Sequence, residues 1–143
     1  MTPSVLIQKT SLSRFKGYFY GIYLGTPSQI EPILSVKFYA TEAGSEPVRV
    51  WLKALSARDR KTIGEDIKTV QFDWPLGMPL VDHFEGEIWE VRIKLDIRIA
   101  RVLFVIVNKS MIWLHGFIKK NPKTPKPCLD LAKQRLKALK GKK

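Results

Sequence analysis

The strongest constraint on the fold is a change of hydrophobic period in the second half of the chain. Residues 89–95 alternate between apolar and charged side chains, which is typical of a strand with one buried and one charged face. Residues 100–107 form a strongly apolar run that only Arg101 interrupts, and this predicts a central strand covered on both faces. Residues 111–118 predict a third strand. Strands with such short connections pair as an antiparallel meander.

Helical spacing appears on both sides of this strand region. The apolar residues of a first helix, which Ser45 would cap, fall at i, i+3, i+4 and i+7: Val48, Trp51, Leu52 and Leu55. Ser56 and Asp59 form an approximate capping box for a second helix, which should end before Pro75. The buried stripe of a final helix consists of Leu129, Ala132, Leu136 and Leu139.

The order of these elements predicts an α+β domain. A short strand at residues 36–40 precedes the helices, and residues 75–87 are rich in Pro and Gly and indicate a loop. We expect an antiparallel sheet with an N-terminal helical hairpin and a C-terminal helix packed on one face. The other face would carry Arg92 and Lys94 as an open working surface. The folded domain would span 36–143, after an N-terminal extension of unknown role at 1–35.

The charge of the chain indicates a polyanionic partner. It has 25 Lys and Arg against 13 Asp and Glu, a net charge of +12. Residues 119–143 hold ten of these basic groups against Asp130 alone. Nucleic acid is the first candidate partner, and a basic helix kept only for solubility is the alternative.

Cysteine content and apolar runs bear on the compartment. The single Cys128 excludes an intrachain disulfide framework and a Cys-rich zinc site, so a reducing, cytoplasmic location is expected. The aromatic stretch within the first 34 residues is far shorter than the roughly 18 apolar residues of a membrane span, so no membrane partner is expected. The scattered His and carboxylate residues have no metal-ligand spacing, and neither a metal nor another cofactor is expected.

Two residues of the predicted sheet could take part in chemistry. Arg101, within its apolar run, must either pair with an acidic group or face a cleft and bind an anion. By strand parity His115 shares a face with Trp113 and Phe117, and the lysines that follow it disfavour its charged form. A neutral imidazole can accept a proton. Arginine, lysine and histidine together suit metal-free attack of an RNA 2′-hydroxyl on its neighbouring phosphate. This reaction needs a base near the hydroxyl, cations around the transition state and an acid near the leaving oxygen.

Four stretches carry a family resemblance: residues 89–92, 101–104, 114–120 and 123–125, which read WEVR, RVLF, LHGFIKK and KTP. In combination they resemble the HigB-like branch of the RelE-type toxins, which belong to type II toxin–antitoxin systems and are often phage-derived. The resemblance covers residues 36–140. It implies a small RelE-like fold and endonucleolytic cleavage of mRNA, usually on the translating ribosome. It also implies a cognate antitoxin, commonly a helix-turn-helix protein.

The resemblance also implies roles for individual residues. Arg92 and Arg101 match the family's basic sheet positions and would hold the scissile phosphate. Lys119 or Lys120, the basic pair after the last strand, would stabilise the transition state, and His115 would be the base. Contacts to RNA are expected from Lys94, Phe117, Lys123 and Lys126. Some RelE-like toxins place a catalytic Tyr near the start of the last helix, where this chain reads Pro127-Cys128-Leu129, so the acid–base assignment moves to His115 and the lysines.

This hypothesis predicts that Arg101→Ala abolishes growth arrest and leaves the fold intact. An Arg101 locked into an internal carboxylate pair, well away from His115 and Lys119, would contradict it. The alternatives are a basic module that binds RNA without cleaving it and a degenerate toxin that binds only its antitoxin.

Overall fold

The computed structural model describes residues 32–77, 80–119 and 124–141, together with a short antiparallel pair formed by β1 (Tyr18–Phe19) and β2 (Ile22–Tyr23). The remaining elements are β3 (Ser35–Phe38), α1 (Pro47–Ala54), α2 (Ala57–Asp73), β4 (Val81–Glu85), β5 (Ile88–Lys94), β6 (Ile99–Val107), β7 (Ser110–Lys119) and α3 (Lys126–Gly141). Over these residues the fold is α+β, as predicted, with a five-stranded sheet and three helices.

The sheet has the strand order β3-β7-β6-β5-β4. Its centre is the predicted antiparallel meander, in which Val102 of β6 pairs with Val91 of β5 on one side and Gly116 of β7 on the other. The prediction of a wholly antiparallel sheet is wrong, because β3 pairs with β7 in parallel. Short turns impose antiparallel pairing only on strands that they join, and β3 and β7 are far apart in the chain.

The segment predicted as a loop at 75–87 contains an edge strand. β4 pairs antiparallel with β5, and Val81 is its only buried residue. With so few buried apolar side chains between flanking Pro and Gly residues, the strand leaves almost no periodic signal in the sequence.

Helices cover both faces of the sheet, whereas the sequence predicts helices on one face only. On one face Val102, Phe104 and Trp113 pack with residues of α1 and α2, including Leu52 and Ile67. The opposite face, called here the α3 face, has a second apolar cluster, composed of Ile88, Leu103, Val105, Ile112, Leu114 and Ala132, with Leu129 and Leu136 packed against it. β6 is apolar on both sides, and both sides must therefore be kept from water.

The two N-terminal helices begin and end close to where the sequence places them. The Ser56 hydroxyl accepts a hydrogen bond from the Asp59 amide at 3.1 Å, so this side chain caps α2 as predicted. α2 ends at Asp73, two residues before Pro75. α1 starts one residue later than expected, with Glu46 rather than Ser45 at the N-cap position. The arrangement of α1 and α2 as a helical hairpin stays a prediction, as does the RelE-like detail of the fold.

A β-bulge in β7 decides which side chains reach the α3 face. Leu103 pairs with His115 and Phe104 pairs with Trp113, so Leu114 is an extra residue without a partner of its own. His115 therefore lies on the same face as Leu103, and Trp113 lies on the other face with Phe104. The parity that predicts a common face for Trp113 and His115 is wrong for this reason.

Candidate functional site

Cationic side chains lie on the α3 face in two neighbouring rows of paired residues that cross β5, β6 and β7. In the first, Arg92, Arg101 and Phe117 lie side by side on β5, β6 and β7. In the second, the side-by-side residues are Lys94, Ile99 and Lys119. Adjacent strands are about 4.8 Å apart, so these residues are immediate neighbours. We call the four cations of this group, Arg92, Lys94, Arg101 and Lys119, the basic cluster.

The carboxylate of Glu90 lies at the centre of this region and is fully buried. Its Oε1 accepts a hydrogen bond from Arg92 Nε at 2.9 Å, and its Oε2 accepts one from Arg101 Nη1 at 3.1 Å. The Thr124 hydroxyl, from the segment before α3, donates to the same Oε2 at 2.6 Å. Of the two possibilities for Arg101, the structure has the first: the guanidinium pairs with an internal carboxylate and is 4% exposed. This meets half of the condition that would contradict the hypothesis, but Arg101 stays close enough to Lys119 for the two charges to interact.

These contacts keep Glu90 ionised. Burial alone would raise the pKa of its carboxyl, but the hydrogen bond from Thr124 and those from Arg92 and Arg101 outweigh burial, and the pKa falls below its usual value. Arg92 is held from a second side, since its Nη2 lies 3.1 Å from Asp82 Oδ2 on β4. Glu90 and Asp82 thus fix both arginines of the cluster in place.

Lys119 is buried next to this network, and no carboxylate of the described residues pairs with it. Its side chain ends in a buried ammonium group, and the residue is 6% exposed. Within the described part of the chain, the Nζ atom has no hydrogen-bond partner. Burial first, and then the charge of Arg101, lower the pKa of this ammonium group, while Glu90 acts in the opposite direction. A buried cation without a partner is costly, and an anion brought to this position would offset that cost.

The first turn of α3 closes the same region. The Thr124 contact to Glu90 fixes the chain just before the helix starts at Lys126. Burial raises the pKa of the Cys128 thiol, and the nearby charge of Lys119 acts in the opposite direction. The amide groups at a helix N-terminus carry partial positive charge, which adds to the attraction for an anion.

His115 lies on the α3 face but apart from the basic cluster. Its ring stacks on Phe117, with 5.3 Å between ring centroids, and Phe117 comes between His115 and Lys119 along β7. The four-residue separation places the two Cα atoms about 13 Å apart. Burial, and then the charge of Arg135, lower the pKa of His115 to about 4. The imidazole is therefore neutral at pH 7, but the cause is burial and Arg135 and not the lysines from which the sequence predicts this state.

The remaining predicted residues divide into two groups. Lys126 is exposed and pairs with Asp130 one turn further along α3. Lys120 and Lys123 lie outside the residues that the structure describes. Sequence reasoning missed Asp82 and Thr124 as parts of the network around the arginines, although Thr124 is the central residue of the KTP motif.

The glycine of the HGF motif has a packing role. A Cβ atom at Gly116 would lie 2.5 Å from the ring of Trp51, which packs from α1 onto the opposite face of β7. The glycine therefore lets α1 approach the strand that carries His115 and Lys119.

A cavity of about 400 Å³ opens beside the basic cluster, next to the start of β4. Among the described residues it is lined by Asp66, Leu80, Arg92, Lys94 and Ile99. In the same residues no three His, Cys, Asp or Glu side chains gather closely enough to hold a metal ion. Over the described ranges, none of the helices is long and apolar enough to cross a membrane.

Comparison with known proteins identifies the family. No curated protein matches the chain. Residues 50–137, well over half of the chain, match the family model "Phage derived protein Gp49-like (DUF891)", a family associated with toxin–antitoxin systems. The match includes α2, the meander and most of α3, and with them all four members of the basic cluster. The chain therefore belongs to the phage-derived Gp49-like protein family.

Proposed function

We propose that this protein is the toxin of a toxin–antitoxin pair and that it cleaves mRNA, usually on the ribosome. In the proposed reaction the RNA 2′-hydroxyl attacks the adjacent phosphorus, forming a cyclic phosphate and releasing the 5′-oxygen of the next nucleotide. RNA carries its own nucleophile, so the step needs a base that takes the proton of the 2′-hydroxyl and a donor, a cluster ammonium group or water, that gives a proton to the leaving 5′-oxygen. The cognate antitoxin, a helix-turn-helix protein in this proposal, follows from the family and not from the site.

The observation that carries this proposal is the buried, unpartnered ammonium of Lys119 beside two fixed arginines. Glu90 and Asp82 balance the charges of Arg92 and Arg101, and no carboxylate in the described segments pairs with Lys119. A phosphodiester would supply the missing negative charge. As charge builds on the phosphate oxygens in the transition state, a cation fixed in a low-dielectric site stabilises it more than water can.

The proposal assigns a role to each residue of the basic cluster and to His115. Lys119 stabilises the transition state, and Arg92 and Lys94 hold the phosphates from the exposed side. Arg101 acts mainly through Glu90, which its charge helps to keep ionised. His115 is the proposed base, since a neutral imidazole accepts a proton. This role requires the RNA to lie along β7 across Phe117, so that the reacting hydroxyl reaches the histidine.

Expression of the chain in growing cells tests this function. We expect growth arrest and discrete new mRNA 5′ ends, and both should disappear with Lys119→Met. Lys61→Met removes an exposed lysine from α2, on the far side of the sheet, and should keep full toxicity. Loss of translation without discrete cuts would contradict cleavage.

A second function, RNA binding without cleavage, is favoured by the separation of His115 from Lys119. If the two cannot act on one phosphate, the basic cluster still grips an RNA backbone. The His115→Ala variant distinguishes the two functions within the same mapping experiment. Loss of cuts with retained RNA binding supports the catalytic assignment, and unchanged cutting removes His115 from the mechanism.

A further inference from the structure

We propose that the cavity beside the basic cluster is a nucleobase pocket that selects guanine through Asp66. This inference rests on the proposed action on RNA and adds a substrate preference to it. It starts from the cavity's shape and lining: about 400 Å³, within the usual range for small-molecule sites, with a carboxylate, apolar walls and two cations.

The lining residues are apolar, cationic and acidic, and each kind suits a different part of a nucleotide. Leu80 and Ile99 supply apolar surface, which suits the flat faces of a base. Arg92 and Lys94 belong to the basic cluster and would meet the phosphate. Asp66 comes from α2, a different element, and supplies a polar group for the edge of the base.

Asp66 has no evident structural task. Its side chain is half-buried, and in the described part of the chain it takes part in no hydrogen bond or ion pair. Burial first, and the neighbouring charge of Glu65 second, raise the pKa of its carboxyl. A half-buried carboxylate without a partner gains from any ligand that brings donors to it.

Among the four bases, guanine matches a carboxylate best. An ionised carboxylate only accepts hydrogen bonds, and it has two oxygens side by side. The Watson–Crick edge of guanine presents two adjacent donors, N1–H and the N2 amino group. Adenine and cytosine each place an acceptor next to their amino group, and uracil has a single donor between two acceptors. One such two-point contact is worth about fivefold to a hundredfold in discrimination.

Direct binding to the purified full-length chain tests the pocket without relying on catalysis. The probes are guanosine 5′-monophosphate, adenosine 5′-monophosphate and inorganic phosphate, each titrated by calorimetry. We expect the guanine nucleotide to bind at least about fivefold more tightly than the adenine nucleotide. Equal binding of the two nucleotides, or binding no tighter than phosphate, would overturn the inference. So would a pocket that takes neither nucleotide but binds an apolar peptide of a partner protein.

The Asp66→Asn variant sharpens the test, and Asp73→Asn is its matched control. The control makes the same substitution at an exposed position at the end of the same helix. Asp66→Asn should lose the preference for guanine and leave the affinity for phosphate unchanged, while Asp73→Asn should retain the preference. An Asp66→Asn protein that still prefers guanine would overturn the assignment. The selectivity of the unmodified chain decides the question if this variant fails to fold.

The mapped cleavage sites separate this inference from the proposed function. A chain that cuts RNA with no preference for guanine retains the nuclease and loses the pocket. A chain that prefers the guanine nucleotide but cuts no RNA retains the pocket and loses the nuclease.

Discussion

Arg101 and Glu90 lie on neighbouring strands and form an ion pair that is almost entirely buried, with 3.1 Å between Arg101 Nη1 and Glu90 Oε2. Because of this pair, a substitution at Arg101 affects the stability of the fold as well as any function of the arginine. Arg101→Ala would leave an ionised carboxylate in the interior, so the expectation that this variant keeps the fold intact is not supported by the structure. Lys119 gives a cleaner test, because no carboxylate in the described residues depends on it.

The first prediction concerns the stability that Glu90 provides. Glu90→Ala removes the acceptor for both arginines and for Thr124, so the free energy of unfolding should fall by about 3 kcal/mol or more. Urea unfolding measures it. Glu85→Ala, which breaks an exposed pair with Lys133, should cost about 0.5 kcal/mol or less. A similar small loss for Glu90→Ala would contradict a structural role for the buried network.

The second prediction is that Lys119→Met abolishes toxicity and stabilises the fold. The substitution replaces a buried, unpartnered ammonium with an apolar side chain of similar length, so the free energy of unfolding should rise by about 1 kcal/mol. Growth arrest should disappear in the same variant. Lys61→Met should change the unfolding free energy by less than about 0.5 kcal/mol. A clear loss of stability in Lys119→Met would mean that the ammonium is satisfied in the folded chain.

The third prediction tests the role of the motif glycine. Gly116→Ala forces the Trp51 ring away from β7, and overpacking of this kind costs about 1–3 kcal/mol of stability. In a chain that also carries Trp51→Leu the same substitution should cost less, because the contact is gone. Gly77→Ala, where an added Cβ meets nothing within 4 Å, is the control and should be nearly neutral. Equal costs in the two backgrounds would show that Trp51 does not constrain this position.

The fourth prediction follows from the low pKa of His115. Its folded value is about 4 and its ordinary value 6.5, so between these pH values the unfolded chain binds a proton that the folded chain does not. Stability should therefore fall as the pH is lowered from 6.5 to 4. His115→Gln should reduce that fall, as measured by urea midpoints at several pH values. His83→Gln keeps His115 and should keep the fall. An unchanged profile in His115→Gln would contradict a half-buried imidazole that stays neutral in the folded chain.

Sequence periodicity predicts the local elements well, because each depends on residues close together in the chain. Apolar spacing places Val48 and Leu52 on the buried side of α1, and both are buried. Alternation along β5 places Arg92 and Lys94 on one face, and they lie together there. The same reasoning does not predict β4, which has a single buried residue, or the direction of β3, which pairs with a strand far along the chain.

The candidate site is harder to predict from the sequence, because its contacts join segments that are far apart in the chain. Alternation puts Glu90 on the charged face and gives no sign that it is fully buried. One of its hydrogen bonds comes from Thr124, which is 34 residues further along the chain. The position of His115 depends on one bulge residue, Leu114, which no hydrophobic pattern reveals.

Because of the bulge at Leu114, the number of residues along β7 decides which of its side chains lie on the α3 face. With regular alternation from Trp113, His115 and Lys119 would point toward α1 instead. Removing Leu114 itself would straighten the strand and keep both side chains where they are, whereas removing any one residue between His115 and Lys119 would turn the lysine to the wrong side of the sheet. Natural variants of this strand should therefore differ in side chains but keep a constant length from His115 to Lys119.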